Sequence, residues 1–490
     1  MKKLYIVYIV ILIFFTANII NLKNLSLIDW DEGVFALQAK WFASMGMEGK
    51  PFNFQTPPLF QIIIALAFKI FGYKAEILPL ISIIFSCLSI YIVFIFSREI
   101  YNETIGLIGV FLFISTEYFL FFSKSGLSDA TFLFFFLTAI YFFYRTIEDE
   151  NKSSFILCGL FTLLACYTKY TGPILFLIYL IINFTIFKIR TKYFYLFTIV
   201  IPILLLLPYF IIFIKVISVK GIFSRHGSLL GVHHLKFLYY LIRFAPMVFL
   251  SAIFYRMRDK NDYFILVIIL TFFIILGFYY PYLRLAYPLI PFFTLFSACF
   301  IYKFKKLRTY ICVIIFLINI FLGYDTIIYH SNIPRLISQK VDTLCESYKI
   351  NYVITATPPN ILFNISGDII LTDNQMPRDM KINKFTGAER RKIIKKEDNL
   401  IKDEKHILFL NSNIFPTINE QLMPFKKKAK SIESIEFIDA PIYYKDIFNE
   451  LRTQKQIYEL IVFEKPKFNY NEMDSLWQLC FEPGVAIVKR

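Results

Sequence analysis

Leu27-Ile28-Asp29-Trp30-Asp31-Glu32-Gly33, followed further on by Gln55-Thr56-Pro57-Pro58-Leu59, stands directly after the first apolar segment of this chain. Three carboxylates come together where a membrane-spanning chain has just left the bilayer. Polar clusters at such a boundary, held by a rigid Pro-Pro turn and followed by another apolar segment, mark a site rather than a linker. The remainder of the sequence has to account for them.

Composition sets the class. With 57% hydrophobic residues, 58 Phe, 32 Tyr and only 18% charged residues, the chain reads as a polytopic helical membrane protein. The net charge of +16 raises nucleic acid as a partner, but the Lys and Arg sit largely in short runs between apolar segments, the distribution that orients helices in a membrane. Nucleic acid is therefore set aside. Met1 to Leu22 has a basic start and no small-residue cleavage site, and reads as an uncleaved first helix. Cys87, Cys158, Cys166, Cys299 and Cys312 lie in apolar segments as small hydrophobes, and no metal-ligand spacing links the cysteines.

Crossing the hydrocarbon core takes roughly 17 to 25 apolar residues. Eleven segments qualify as spans: 4–22, 77–97, 104–122, 129–145, 153–168, 171–187, 193–214, 237–255, 262–280, 285–302 and 309–329. Leu59 to Phe71 is too short, follows Pro57-Pro58, ends at Gly72 and carries Gln61 and Lys69, so it reads as an interfacial helix in a large first outer loop. Charge supports this count. Without a crossing at Leu59 to Phe71, the cations Lys2, Lys3, Arg98, Arg145, Lys152, Lys188, Arg190, Lys192, Arg256, Arg258, Lys260, Lys303, Lys305, Lys306 and Arg308 all fall inside. With a crossing, nearly all of them would move outside.

With the amino terminus inside, the Asp29–Glu32 loop, Lys124–Asp129, Lys169–Gly172, Lys220–Lys236 and Tyr282–Arg284 all face outward. Residues 331–490 follow on the same side of a multi-pass cell-membrane protein. Six β-rich runs there (Tyr352–Thr355, Asp368–Leu371, His406–Leu410, Ser434–Ile438, Tyr458–Phe463 and Val485–Val488) predict a soluble extracytoplasmic α/β domain beside a transmembrane domain over 1–330. Arg378 to Lys405, dense in charge, reads as a solvated helix or a loop. Cys345 and Cys480 are the only cysteines of the tail; pairing depends on a Cα separation that sequence does not supply.

The order Trp30-Asp31-Glu32-Gly33-Val34-Phe35-Ala36, Pro57-Pro58-Leu59-Phe60, Ser123-Lys124-Ser125-Gly126-Leu127-Ser128-Asp129, Thr168-Lys169-Tyr170-Thr171-Gly172 and Arg284-Leu285-Ala286-Tyr287-Pro288-Leu289-Ile290-Pro291 resembles the C-type (GT-C) membrane glycosyltransferases. Within them, the pattern is most similar to the protein O-mannosyltransferase and lipid A aminoarabinose transferase families. The resemblance covers residues 1 to about 330. It implies a GT-C fold and transfer of a hexosyl or pentosyl group, with inversion, from a polyprenyl- or dolichyl-phosphate donor to a glycan acceptor (protein, lipid or polysaccharide) on the outer face. The catalytic carboxylate of the family's Asp-Glu pair falls on Asp31, beside Glu32, and Asp129 is a second active-site acid that assists Asp31 or holds a divalent cation. No other cofactor is implied. An acceptor hydroxyl needs a carboxylate for its proton as an oxocarbenium-like centre develops, and the phosphate leaving group needs cations. Thr56 stands where the family often has Lys, so the positive role passes to Lys50, Lys124, Lys169, Arg225 or Arg284.

Plainer readings accompany each residue. Asp29 is either a helix cap or a support for the catalytic acid; Asp129 also caps the helix it opens; Lys169 and Arg284 also suit snorkelling to headgroups. His226, His233 and His234 match no common metal spacing, and acceptor or headgroup contact fits His226 as well. A transporter or flippase-like protein of the cell-envelope glycan pathway explains the spans equally, but inverted repeats and midplane breaks are not evident in the sequence.

Overall fold

The computed structural model describes every residue except 1, 28–29, 150, 190, 218–229, 280–281, 324–332, 373–390, 438–455 and 484. The chain divides into two compact units: Met1–Leu22 with Phe54–Phe60 and Pro79–Ile328, and Lys23–Asn53 with Gln61–Leu78 and Tyr329–Arg490. Residues 23–53 and 61–78, which a linear reading assigns to the membrane region, therefore fall in the same unit as the tail.

The first unit is helical. Lys3–Ile20, Ile77–Ile100, Asp129–Asp149, Phe194–Lys215, Lys260–Gly277 and Leu283–Tyr302 are long and apolar enough to cross a membrane. Shorter apolar helices occupy Glu103–Ser115, Lys152–Thr168, Ile174–Phe187 and Arg308–Leu322. Two expected spans are interrupted. The 104–122 segment breaks at Thr116, whose extended backbone ends one helix while its hydroxyl caps the next by accepting from the Phe119 N–H at 3.3 Å. The 237–255 segment turns by 110° between His234–Phe244 and Pro246–Ile253. Pro246 has no N–H to give and excludes α geometry at the preceding residue; Ala245 accordingly sits at φ −149°, ψ 51°.

The second unit is built on a six-stranded sheet of β1 (Tyr352–Ala356), β2 (Asp368–Ile370), β3 (His406–Ser412), β4 (Ser431–Phe437), β5 (Gln456–Glu464) and β6 (Ala486–Lys489), in the order β2-β6-β1-β3-β5-β4. Only β1 and β3 run parallel, with Val353 opposite Leu408. The inner strands β1, β3, β5 and β6 are apolar on both sides, and alternation deals them to two cores. Val353, Leu408, Leu410, Leu460, Val462 and Val488 pack against the helix Ile333–Tyr348. Ile354, Ile407, Phe409, Ile461, Phe463 and Ile487 pack against Pro416–Lys426 and Tyr470–Gln478. Cys345 belongs to the first core and Cys480 to the second, both as free thiols. The sheet stands between them, so they cannot pair.

Leu59–Phe71 is a 13-residue helix, about 20 Å long, short of the roughly 30 Å hydrocarbon core. Its Gln61 is buried and donates to Gln38 Oε1 at 3.2 Å. Ile62, Leu66 and Ile70, spaced i, i+4, i+8, are exposed together with Lys69 and Phe71. Such an apolar stripe is what an interfacial helix presents to lipid.

Candidate active site

In the first unit, Asp129 and Lys169 form an ion pair at one end of the helices. Asp129 opens the helix Asp129–Asp149, where the helix dipole favours a carboxylate, and is buried. Lys169 terminates Lys152–Thr168 in an extended conformation, and the chain then turns so tightly that a Cβ on Gly172 would lie 2.6 Å from Cys166 Cα. The Gly172 N–H closes this turn by donating to the Lys169 carbonyl at 3.0 Å. The turn aims the Lys169 ammonium inward, onto Asp129 Oδ1 and within 5.7 Å of the Phe132 ring centre. Lys169 thus serves an internal acid rather than lipid headgroups.

The other carboxylate oxygen of Asp129 is buried and finds no hydrogen-bond partner among the described residues; the same holds for the Tyr287 hydroxyl, which lies within electrostatic reach of Asp129. Tyr287 is fully buried, with its ring 4.9 Å from that of Phe122. Sequence reading passed over Tyr287, although it lies in the Arg284-Leu285-Ala286-Tyr287-Pro288 run. Its nearness to Asp129 comes from the fold, and no local pattern in the sequence records it.

The remaining cations of this unit differ in setting. Lys124, half-buried in the turn before Asp129, has its ammonium pushed down to about 8 by desolvation. Arg284, in the short helix Leu283–Ala286, stacks 5.7 Å over the Tyr282 ring. Thr56 is half-buried and Pro57 buried, after Phe54 at a left-handed φ of 57°. A bulky residue there is strained unless its surroundings hold it; the Phe54 ring is buried and its carbonyl accepts from the Tyr209 hydroxyl at 3.4 Å.

Asp31 and Glu32 lie in the second unit, in the first turn of the helix Trp30–Ala43. Glu32 is buried, whereas Asp31 is half-exposed. This helix packs backbone to backbone on the segment after β1: a Cβ on Gly33 would fall 2.0 Å from the Asn360 nitrogen. Leu37 enters the core shared with Ile361 and Leu362, the Trp30 and Phe415 rings lie 6.1 Å apart, and Asn360 donates to the Leu27 carbonyl at 3.3 Å. The acidic helix is thereby seated on the ends of the two parallel strands. Lys50, in the same unit, is also pushed down to about 8 by burial. Asp29, Arg225 and His226 lie outside the described residues. Among the described residues, no three His, Cys, Asp or Glu side chains come together as a metal site, and Asp129 already has its charge matched by Lys169.

Residues 55–212 match the family model of dolichyl-phosphate-mannose-protein mannosyltransferases. Among curated proteins none matches the chain in sequence. Among solved structures, ArnT from Cupriavidus metallidurans bound to undecaprenyl phosphate is similar over 93% of this chain and 97% of its own, at 10% identity and a TM-score of 0.62. The apo Archaeoglobus fulgidus oligosaccharyltransferase is similar over 71% of this chain and 59% of its own, at 13% identity and a TM-score of 0.52. The same archaeal enzyme in complex with an inhibitory peptide and a dolichol-phosphate aligns over 88% and 73%, at 13% identity and a TM-score of 0.50.

Proposed function

We propose that the chain, whose fold is shared with C-type (GT-C) membrane glycosyltransferases, moves a sugar from a polyprenyl-phosphate carrier to an acceptor hydroxyl on the outer face of the cell membrane. The observation that carries this reading is a fold shared with ArnT along nearly the whole of both chains; the order of sequence motifs supports Asp31, a half-exposed acid, as the proposed catalytic carboxylate. A lipid carrier is favoured because ArnT and the archaeal oligosaccharyltransferase were each solved with a polyprenyl-type phosphate.

In the proposed step the acceptor oxygen attacks the anomeric carbon, and the bond from that carbon to the phosphate oxygen breaks. The acceptor proton passes to Asp31, and polyprenyl phosphate leaves with the bonding electrons. A single displacement of this kind inverts the anomeric centre. Lys124, Lys169 and Arg284 supply the positive charge for the phosphate, with Thr56 as a hydrogen-bond donor in place of the family's Lys. Asp129 holds Lys169, and Glu32 supports the helix that carries Asp31. The topology that goes with this reading has eleven spans, with the amino terminus inside. Residues 331–490 then form an extracytoplasmic domain, with residues 23–53 and 61–78 of the first outer loop belonging to it.

The test is to incubate purified full-length protein with a panel of polyprenyl-phosphate sugars and acceptors and to assay polyprenyl phosphate. Release dependent on both donor and acceptor is expected from at least one pair. No release from any donor, by protein shown to be folded, would overturn the reading.

A further inference from the structure

The helices of the first unit end in a second feature that the transfer reaction does not use. A cavity of about 630 Å³ opens between the end of Ile77–Ile100, the end of Ile290–Tyr302 and the starts of Lys260–Gly277 and Arg308–Leu322. Tyr287, beside Asp129, and Tyr302, on the cavity, are fifteen residues apart on one helical run, or about 22 Å at 1.5 Å per residue. The cavity is therefore at the opposite end of the unit from the Asp129–Lys169 pair.

Its walls carry Arg258, Lys303, Lys305 and Arg308 against one lining carboxylate, Asp259. A second acid, Asp262, is fully buried and already saturated: the Tyr101 hydroxyl donates to it at 2.7 Å, that of Tyr255 at 3.0 Å, and the N–H groups of Arg258 and Asp259 at 2.7 and 3.3 Å. Asp262 thus orders the rim without discharging the cations. Among the described residues none of the four cations enters an ion pair. Lys303 instead rests 4.6 Å over the Tyr255 ring and Arg308 5.4 Å over that of Tyr302. Two planar guanidiniums and two ammoniums around one cavity match the oxygens of a phosphate. The turn that carries them, Tyr302-Lys303-Phe304-Lys305-Lys306-Leu307-Arg308, also leaves Phe304 and Leu307 exposed between the cations. An apolar surface woven into a basic one, at the ends of membrane helices, suits a headgroup with its acyl chains attached.

We propose that this cavity binds the phosphate headgroup of an anionic membrane lipid, independently of the donor and acceptor of the transfer reaction. The shared chemistry of phosphate admits a free anion as well, and the experiment separates the two sources. Full-length protein, delipidated in detergent, is titrated with dioctanoyl phosphatidic acid, dioctanoyl phosphatidylcholine and inorganic phosphate while thermal unfolding is followed. Phosphatidic acid should raise the unfolding temperature saturably, with the other two ineffective over the same range. Lys303→Gln with Arg308→Gln should weaken the titration about tenfold or more, whereas Lys152→Gln with Lys192→Gln, cations outside the cavity, should leave it unchanged. Lys305→Gln alone provides a milder variant whose folding is not at risk. An unchanged midpoint in the cavity variants, or an equal response to phosphatidylcholine, would overturn the site. An equal response to inorganic phosphate would overturn the lipid as its source.

Discussion

Asp31 and Glu32 are adjacent in the chain and opposite in exposure, half-exposed against buried, and this separates their roles. Asp31→Asn should leave the protein folded and reduce turnover by about a hundredfold to ten-thousandfold, the usual worth of a general base; release of polyprenyl phosphate and thermal unfolding measure the two sides. Glu32→Gln should act mainly on unfolding temperature, because it alters a buried, partnered group. Lys124 brings a pH dependence. With its ammonium at about 8, it is charged below that pH and neutral above it, so the apparent Michaelis constant for the donor should climb above about pH 8. Lys124→Arg, which stays charged, should flatten the rise, and Lys50→Arg, changing the other lysine near 8, should not. Lys169→Met and Arg284→Met should each raise that constant about tenfold or more, the loss of one charge-assisted contact, while Thr56→Ala matters less. Unchanged donor constants for both Met variants would remove these cations from the donor site.

At the scale of elements, the helix Trp30–Ala43 depends on one missing side chain. A methyl on Gly33 would run into the backbone of Pro359 and Asn360, with no flexible group able to yield, so Gly33→Ala should cost about 1–3 kcal/mol and lower activity with it. Gly109→Ala is the contrast: a Cβ there meets only ordinary contacts at 3.9 Å and beyond, and inside a helix the change should be neutral or stabilising. Denaturant midpoints of the two variants decide this. The break at Ala245-Pro246 shows the reverse dependence, since hydropathy along 237–255 is continuous while backbone chemistry forbids a straight helix.

For the whole molecule, all seven cysteines are buried, which makes topology measurable with added thiols. Met47→Cys and Met423→Cys, both at exposed positions, should react with an impermeant reagent applied to whole cells, and Leu307→Cys, also exposed, should not. Labelling at Leu307 without labelling at Met423 would mean that Leu59–Phe71 crosses the membrane. Reducing agent should leave the unfolding temperature unchanged, because Cys345 and Cys480 lie on opposite faces of the sheet.

By itself the sequence determined the features written in local periodicity and composition: a helical membrane protein, a short Leu59–Phe71 helix, and six β-rich runs, each overlapping one observed strand. The order of motifs likewise pointed to Asp31, Asp129 and Lys169. Only the tertiary structure decided which groups meet. The Lys169 ammonium turns onto Asp129 across forty residues, the buried Gln61 amide donates to Gln38, Tyr287 lies beside an acid, and residues 23–53 and 61–78 join the compact unit of the tail. Hydropathy records whether a side chain prefers water or an apolar setting, one residue at a time. Pairing of charges and close approach of backbones depend on distances between remote parts of the chain, which that record does not contain.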